Sequence, residues 1–532
     1  MTTKNKKIVI VGAGMAGLTA AAYLAKENYP VLLLDKNDRV GGLVNTFEYE
    51  GFSFDAGPRA FVNSGMVKPI LNDLGISGEF LENKISMGVE DQLFLIDSLD
   101  DLAAYRRMLI HLYPAQRDDI EKIIAIIHKL SKHTAILYQF DNPNFTDLTH
   151  NKAFIFRKLI PWTFKLLYVL RKQTQFSMPM EAFLERLTDN QSLIDILTQF
   201  FFRETPTYFA LGYFYVYLDY FYPREGTGAL PRLLKEYVLR WGGEIELNRH
   251  IVEVTPATSK VTDAAGHSYD YDHLIWAADL KTLYRSLNLA GLDAKLTQQI
   301  EAETQRMLSA KGAESSFILF VGVDRPPSYF QARGGAHMFY APSKEGLGET
   351  MRAARQHLIE DFDAQSKDDV LDWLSDFCRF NTYEVSIPAL RDPSLAPEGQ
   401  TGIMISCLFD YDLAKKIEAA GWYDEFKEVM AQRILSIFSE TIYQGLEDDV
   451  LFKFSSTPLT IHKVAGSSEG AITGWSFETD VPVVNQLKDI PKSALTPIPG
   501  VLQAGQWAYS PAGVPIAMLT GWYATQKIIK SS

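Results

Sequence analysis

The chain has 532 residues, 47% of them hydrophobic and 22% charged, and carries a net charge of −13 at pH 7. This balance suits a folded protein with two or three cores and excludes a disordered or fibrous one. The acidic excess, with a pI near 5.4, argues against nucleic acid as a main partner, because phosphate backbones demand clustered positive charge.

Other bulk signals narrow the field further. Cys378 and Cys407 lie 29 residues apart, outside any C-x-x-C spacing, and read as core residues of a protein in a reducing cytoplasm. None of the ten histidines has a paired-ligand spacing, so no dedicated metal site is expected. No apolar run reaches the roughly eighteen residues needed to span a bilayer. Peripheral contact at the inner face of a membrane stays open.

The chain starts with "KNKKIVIVGAGMAGLTAAAYLA". A charged start, an apolar run and small residues would also describe a secretory signal peptide, but that needs greasiness and no fixed spacing. Here the β-branched run Ile8 to Val11 leads into Gly12, Gly14 and Gly17, and a second apolar stretch ends in Asp35, eighteen residues after Gly17. That order predicts a Rossmann strand–turn–helix–strand unit belonging to the mature fold. Gly12 makes the turn, Gly14 lets backbone approach a pyrophosphate, and Gly17 lets helix pack on strand. Met15 and Ala16 open a helix whose N–H groups face the phosphates. Asp35, with Lys36 beside it, stands where a carboxylate binds a ribose diol and would repel the 2′-phosphate of NADP.

Next comes "NDRVGGLVNTFEYEGFSFDAGPRA", holding Arg39, Gly41, Gly42 and Leu43, then Asp55, Gly57, Pro58 and Arg59. A glycine pair lets a loop lie close to an extended ligand, and a guanidinium can neutralise a phosphate. A plain glycine hairpin is the simpler reading of this stretch alone. Together with the first motif it resembles the FAD-binding start of the flavin amine oxidase superfamily. The resemblance implies FAD, with Asp35 on the adenosine ribose and Arg39 to Leu43 along the pyrophosphate and flavin end.

From about residue 90 the pattern turns helical. One helix is predicted from Pro114 through Asp118 and Asp119, with Ile120, Ile123, Ile124, Ile127 and Leu130 as a core stripe. Then six basic residues (Lys152, Arg157, Lys158, Lys165, Arg171, Lys172) fall in a stretch with no acid between Asp147 and Glu181. Interleaved with large apolar residues, they suit the headgroup boundary of an anionic bilayer, or a pair of core helices showing one basic face. The aromatic tract Phe201 to Pro223 could line a tunnel for a long apolar ligand or pack as a helix on the flavin domain.

A helix from about Pro231, a stop at Gly242 and Gly243, and a strand pair follow. In the superfamily a similar stretch returns the chain to the FAD domain, and the residue matching Ile251 meets the adenine through its backbone. "YDHLIWAAD" is a further buried strand, bringing Ala277 to the cofactor. "SSFILFVGV" and "GIMISCLF" suit the sheet of a second domain, and residues 343–369 read as a solvated, charged helix and loop.

In the tail, "GVLQAGQWAYSPAGVPIAMLTGWYATQKI", a strand ends at Gly505 and a helix opens at Val514 and Pro515. Its N-terminus would aim positive dipole at the flavin N1–C2=O edge, where negative charge gathers on reduction. The tail resembles the phytoene desaturase, carotenoid isomerase and retinol saturase branch, with Gly505, Gly513, Val514 and Pro515 matching. Gln506 stands where many superfamily members carry an acid. Arg59, Trp507 and Tyr509 are the candidates near the flavin ring, each also readable as packing.

The expected fold is α/β, a discontinuous Rossmann-type FAD-binding domain (1–90, 221–290, 455–532) with an interleaved α+β substrate-binding domain (91–220, 291–454) that holds membrane-contacting helices at 152–172. With one dinucleotide fingerprint, no second nucleotide domain for NAD(P)H is expected, and the electron partner is oxygen, a quinone, a protein or a diffusible reductant. The resemblance implies an FAD-dependent oxidoreductase acting on a long apolar lipid such as a carotenoid, isoprenoid or polyene by hydride transfer at flavin N5. The alternatives are an amine or porphyrinogen oxidase, or a flavoprotein acting as an assembly factor.

Overall fold

A computed structural model describes residues 6–145 and 155–531. Asp147 and Lys152, named above, lie outside the described residues, as does part of the charged start. The strand β1 (Ile8–Val11), the helix α1 (Met15–Lys26) and the strand β2 (Val31–Leu34) form the first βαβ unit. They sit in a five-stranded parallel sheet, ordered Glu244–Glu246, β2, β1, His273–Trp276 and Val501–Gln503. All four β1 residues are buried, as a central parallel strand covered on both faces requires. The sheet therefore gathers strands from both ends and the middle of the chain. The fold is the expected mixed α/β architecture with a discontinuous Rossmann-type unit.

The chain's two ends are also joined by packing. The last helix, Val514–Lys530, lies against α1. A Cβ on Gly521 would sit 2.4 Å from the carbonyl oxygen of Ala16, so the two helices cross with their backbones nearly touching.

A seven-stranded mixed sheet forms the second body, ordered Val450–Ser456, Ser315–Val323, Thr401–Phe409, Tyr383–Ser386, His337–Ala341, Ile85–Val89 and Gln92–Ile96. Both strands expected from "SSFILFVGV" and "GIMISCLF" are there, paired antiparallel. The hairpin Ile85–Val89/Gln92–Ile96 straddles residue 90, so the change of sheet comes before it, near residue 84. Cys378 and Cys407 are both buried.

Helices Leu102–Leu112, Arg117–Leu137 and Thr207–Val216 pack together beneath that hairpin. Ile120, Ile123, Ile124, Ile127 and Leu130 are all buried, as their 3.6-residue spacing requires. The aromatic tract divides: its last residues form the strand Tyr220–Pro223, which pairs with Phe61–Val62 and puts Phe221 in the core around α1. Its helix Thr207–Val216 packs on Arg117–Leu137, and its rings sit one layer behind Phe200 and Phe339. This helix is buried at Ala210, Leu211, Phe214 and Val216 and half-buried at Tyr208, Phe209, Tyr213 and Tyr215.

Helix Ile160–Gln173 departs from a core helix. Only Val169 in it is buried, and Phe164 is 71% exposed.

Candidate functional site

A cavity of about 780 Å³ runs between the two sheets, and the N-termini of α1 and of Val514–Lys530 both open onto it. At α1 the three glycines do three different things. Gly12 turns the chain at φ +104°, the left-handed region where a side chain is strained, while its N–H donates to Leu34 O. Gly17 is packed so tightly that a Cβ would lie 1.9 Å from the oxygen of Gly12. Gly14 is extended (φ −74°, ψ −176°), a conformation open to any residue, and a Cβ there meets nothing within 4 Å. Its open side faces the cavity. No side chain caps α1, so its first N–H groups and positive dipole end are left for a ligand.

The last helix repeats the arrangement, with no side chain capping it at Gly513 and with Pro515 in its first turn. Gly505, Gln506, Trp507, Gly513 and Val514 line the same cavity. Pro515 is buried.

Met15, Ala16, Asp35, Lys36, Gly41, Gly42, Leu43, Gly57, Pro58, Arg59, Ile251 and Ala277 line it too. Asp35 directly follows β2, where its Oδ2 accepts from Ala13 N (2.6 Å) and its Oδ1 from Asn37 N (2.8 Å). Burial pushes its carboxyl up, against those two N–H donors. Lys36 reaches Lys463 O at 3.2 Å, and burial holds its ammonium below the usual range. Ile251 begins its strand paired with Asp263, and the register with Lys260–Asp263 shifts just after it, before Glu253.

Two expected residues lie elsewhere. Arg39 projects into solvent on the turn after β2, 58% exposed, with Nε 3.0 Å from Asp38 Oδ1. Its charge is spent on its neighbour. Tyr509 is buried with Ile490 and Leu519, away from the cavity lining. Trp507 lines the cavity but is locked edge-on against Trp475, whose Nε1 donates to the Trp507 carbonyl at 2.8 Å. Arg59 is 3% exposed, and its Nη1 donates to Asp55 O (2.7 Å) and Gly57 O (3.0 Å). Its Nε has no hydrogen-bond partner among the described residues.

The second sheet and the turns beside it add residues that sequence reading missed. Phe200, Ile318, Phe339 and Leu408 make an apolar wall, and Thr382, Glu384, Ser406 and Cys407 interrupt it. Single residues on strands carry no motif, so only the sheet register could reveal them. Asp279 and Thr282 line the α1 side, where Asp279 accepts from Thr282 N (2.7 Å) and Ser468 N (2.7 Å).

A family model described as flavin containing amine oxidoreductase matches residues 15–529. A 4,4'-diapophytoene desaturase of Staphylococcus aureus is 22% identical, covering 98% of this chain and 99% of its own. A 4,4'-diaponeurosporene oxygenase of Staphylococcus haemolyticus is 23% identical, covering 88% and 87%. The solved structure of a wild-type putrescine oxidase bound to putrescine superposes with a TM-score of 0.59 at 13% identity, covering 99% of this chain and all of that one, a likeness of fold.

Proposed function

Because the chain belongs to the flavin-containing amine oxidoreductase family, and is an FAD-dependent oxidoreductase of the phytoene desaturase-like kind, we propose that it exchanges hydride with a long apolar unsaturated lipid such as a carotenoid, isoprenoid or other polyene. One observation carries this reading: the cavity runs from two uncapped helix N-termini to a wall of Phe200, Ile318, Phe339 and Leu408. The relatives named for diapophytoene and diaponeurosporene chemistry support it.

The residues present fit FAD. The space a Cβ on Gly14 would fill is empty, α1 offers its N–H groups there, and Asp35 keeps lone pairs for a ribose hydroxyl. When bound, FAD supplies two-electron acceptance through its ring. The chain's own part is to hold and orient. Gly14 and Gly42 leave room for the diphosphate, the Gly513–Val514 helix start presents N–H groups to the ring system, and the apolar wall keeps water from the reacting carbons.

An amine oxidase is the second reading, favoured by the carboxylate of Glu384 at the apolar end, which could meet an ammonium. Anaerobic mixing of the holoenzyme with 4,4'-diapophytoene in phosphatidylglycerol vesicles separates the two. We expect the flavin absorbance to bleach with the polyene and to persist with putrescine. Bleaching by putrescine alone reverses the assignment.

The polyene reading includes docking on an anionic lipid surface. Phe156, Ile160, Phe164 and Leu167 recur every three to four residues and, with Tyr168, are 40–71% exposed, beside Arg157, Lys158, Lys165, Arg171 and Lys172. No helix among the described residues is long and apolar enough to cross a membrane. A surface helix of this composition lies in the interface plane. Burying a Phe or Leu side chain contributes roughly 1.5–3 kcal/mol. The double variant Phe164→Glu/Leu167→Glu is therefore expected to lower binding to phosphatidylglycerol vesicles by at least about tenfold in a sedimentation assay, and added salt to weaken the wild type. Equal binding by both proteins, insensitive to salt, removes the helix from the interface.

A further inference from the structure

We propose that Glu384 is the proton acceptor of the dehydrogenation and that His337 positions it, roles that rest on the polyene reading above. Glu384 lies in the strand Tyr383–Ser386, opposite Phe339 and Ser406. Its Oε1 is 2.8 Å from His337 Nε2, and His337 Nδ1 is 3.0 Å from Asn83 Nδ2. The amide of Asn83 donates, so Nδ1 accepts and the Nε2–H points at Glu384. His337 is 1% and Asn83 2% exposed, and the ring of Tyr220 stacks on the imidazole at 5.9 Å. That clamp leaves one freedom. Glu384 Oε2 has no partner among the described residues, and 33% of the side chain is open, on the cavity side.

Of the carboxylates lining the cavity among the described residues, Asp35 and Asp279 have both oxygens engaged by N–H groups on the α1 side. Glu384 alone offers an oxygen at the apolar end. An apolar residue would finish that wall without the cost of desolvating a charge. A carboxylate kept there, oriented by a buried imidazole, fits a site that must receive a proton.

Charge balance separates this role from docking of a substrate cation. The ionisable groups facing Glu384 are His337, Arg59, Arg391 and the phenols Tyr213, Tyr217 and Tyr220. Burial pushes the Glu384 carboxyl up, but the His337 hydrogen bond and the two guanidiniums outweigh it and hold the group below the usual range. Burial keeps His337 below its ordinary value and the three phenols above theirs. At neutral pH the Glu384 and Asp55 carboxylates are answered by the two buried arginines Arg59 and Arg391, so an ammonium would find no net negative charge to dock on.

The step balances as follows. One C–H bond of a –CH₂–CH₂– unit breaks with its electron pair, and the hydride passes to FAD. The neighbouring C–H bond breaks with its proton going to Glu384 Oε2, and its electron pair becomes the new C=C bond. The substrate loses two electrons and the flavin gains them.

Glu384→Gln keeps the volume and an acceptor for His337 while losing basicity. With 4,4'-diapophytoene as probe, the FAD-loaded variant should keep its flavin content and KM and lose kcat by about 100-fold or more, the usual worth of a positioned base. His337→Asn should move the acidic limb of the kcat profile to higher pH, because the hydrogen bond that lowers the carboxyl is gone. Unchanged kcat and an unmoved acidic limb in Glu384→Gln would overturn the assignment. If the wild type instead oxidises putrescine, the polyene reading has failed, and the same variant still decides. A raised KM at constant kcat makes Glu384 a cation-docking group and overturns the acceptor role, whereas a kcat loss at constant KM supports it. An infrared difference spectrum of wild type minus Glu384→Gln holoenzyme at pH 7 needs no substrate. Loss of a carboxylate band is expected, and loss of a protonated-carboxyl band refutes the role.

Discussion

Gly14→Asp is expected to yield a folded protein that purifies colourless. Nothing in the chain forbids a side chain at residue 14, since its φ of −74° is ordinary and a Cβ there has open space. In the cofactor placement proposed above, the side chain would meet the FAD diphosphate. Two unit charges about 4 Å apart interact by roughly 4 kcal/mol at an effective dielectric near 20. That is about a thousandfold in affinity, at 1.4 kcal/mol per tenfold. Visible flavin absorbance per polypeptide measures it, with circular dichroism reporting the fold. Gly17→Ala is the contrast. Its Cβ would strike the Gly12 carbonyl at 1.9 Å, so overpacking, typically about 1–3 kcal/mol, should lower the melting temperature first. A Gly14→Asp protein with full flavin content would mean the diphosphate lies somewhere else.

Asp55→Ala is expected to destabilise the whole cavity wall. Asp55 is fully buried and accepts from Thr46 Oγ1 (2.8 Å), Thr227 N (2.8 Å), Thr227 Oγ1 (2.8 Å) and Tyr222 OH (2.7 Å). One carboxylate thus ties the hairpin Thr46–Tyr49/Phe52–Asp55 to the strand Tyr220–Pro223 and to the turn that opens the helix Ala229–Arg240. Alanine leaves those donors buried without an acceptor, at about 1–3 kcal/mol for each that no water reaches. A total loss on the order of 3–5 kcal/mol follows, the scale seen when one partner of a buried charged group is removed. Urea unfolding of the holoenzyme should show a lower midpoint with little change in slope. Because Arg59 hangs from the Asp55 carbonyl, which alanine retains, flavin content should fall less than stability does. An unchanged midpoint would mean that these hydrogen bonds contribute nothing net.

Much of the cofactor half could be read directly. Gly12, Gly14 and Gly17 announce their separate tasks by spacing alone, and Asp35 follows at the distance one helix and one strand require. The isoleucine stripe from Ile120 to Leu130 announces its buried face in the same way. The failures have equally definite causes. Arg39 has the right charge in the right stretch, yet Asp38 beside it offers an acceptor in solvent at no cost of burial. Tyr509 belongs to the matched tail, but a hydrophobic cluster with Ile490 and Leu519 takes its ring the other way. The aromatic tract carries no periodicity to say which side is buried, so only packing partners could assign it.

What the sequence determined by itself is therefore local: strand, turn and helix start, the family they mark, and the FAD that family carries. Each depends on backbone torsions and nearest neighbours, which a short stretch specifies completely. The tertiary structure alone decided which strands share a sheet, and so brought Arg59, Asn83, His337 and Glu384 to one wall although 325 positions separate the first from the last (384 − 59). Such contacts follow from register between distant strands, where a shift of one residue turns every side chain to the opposite face.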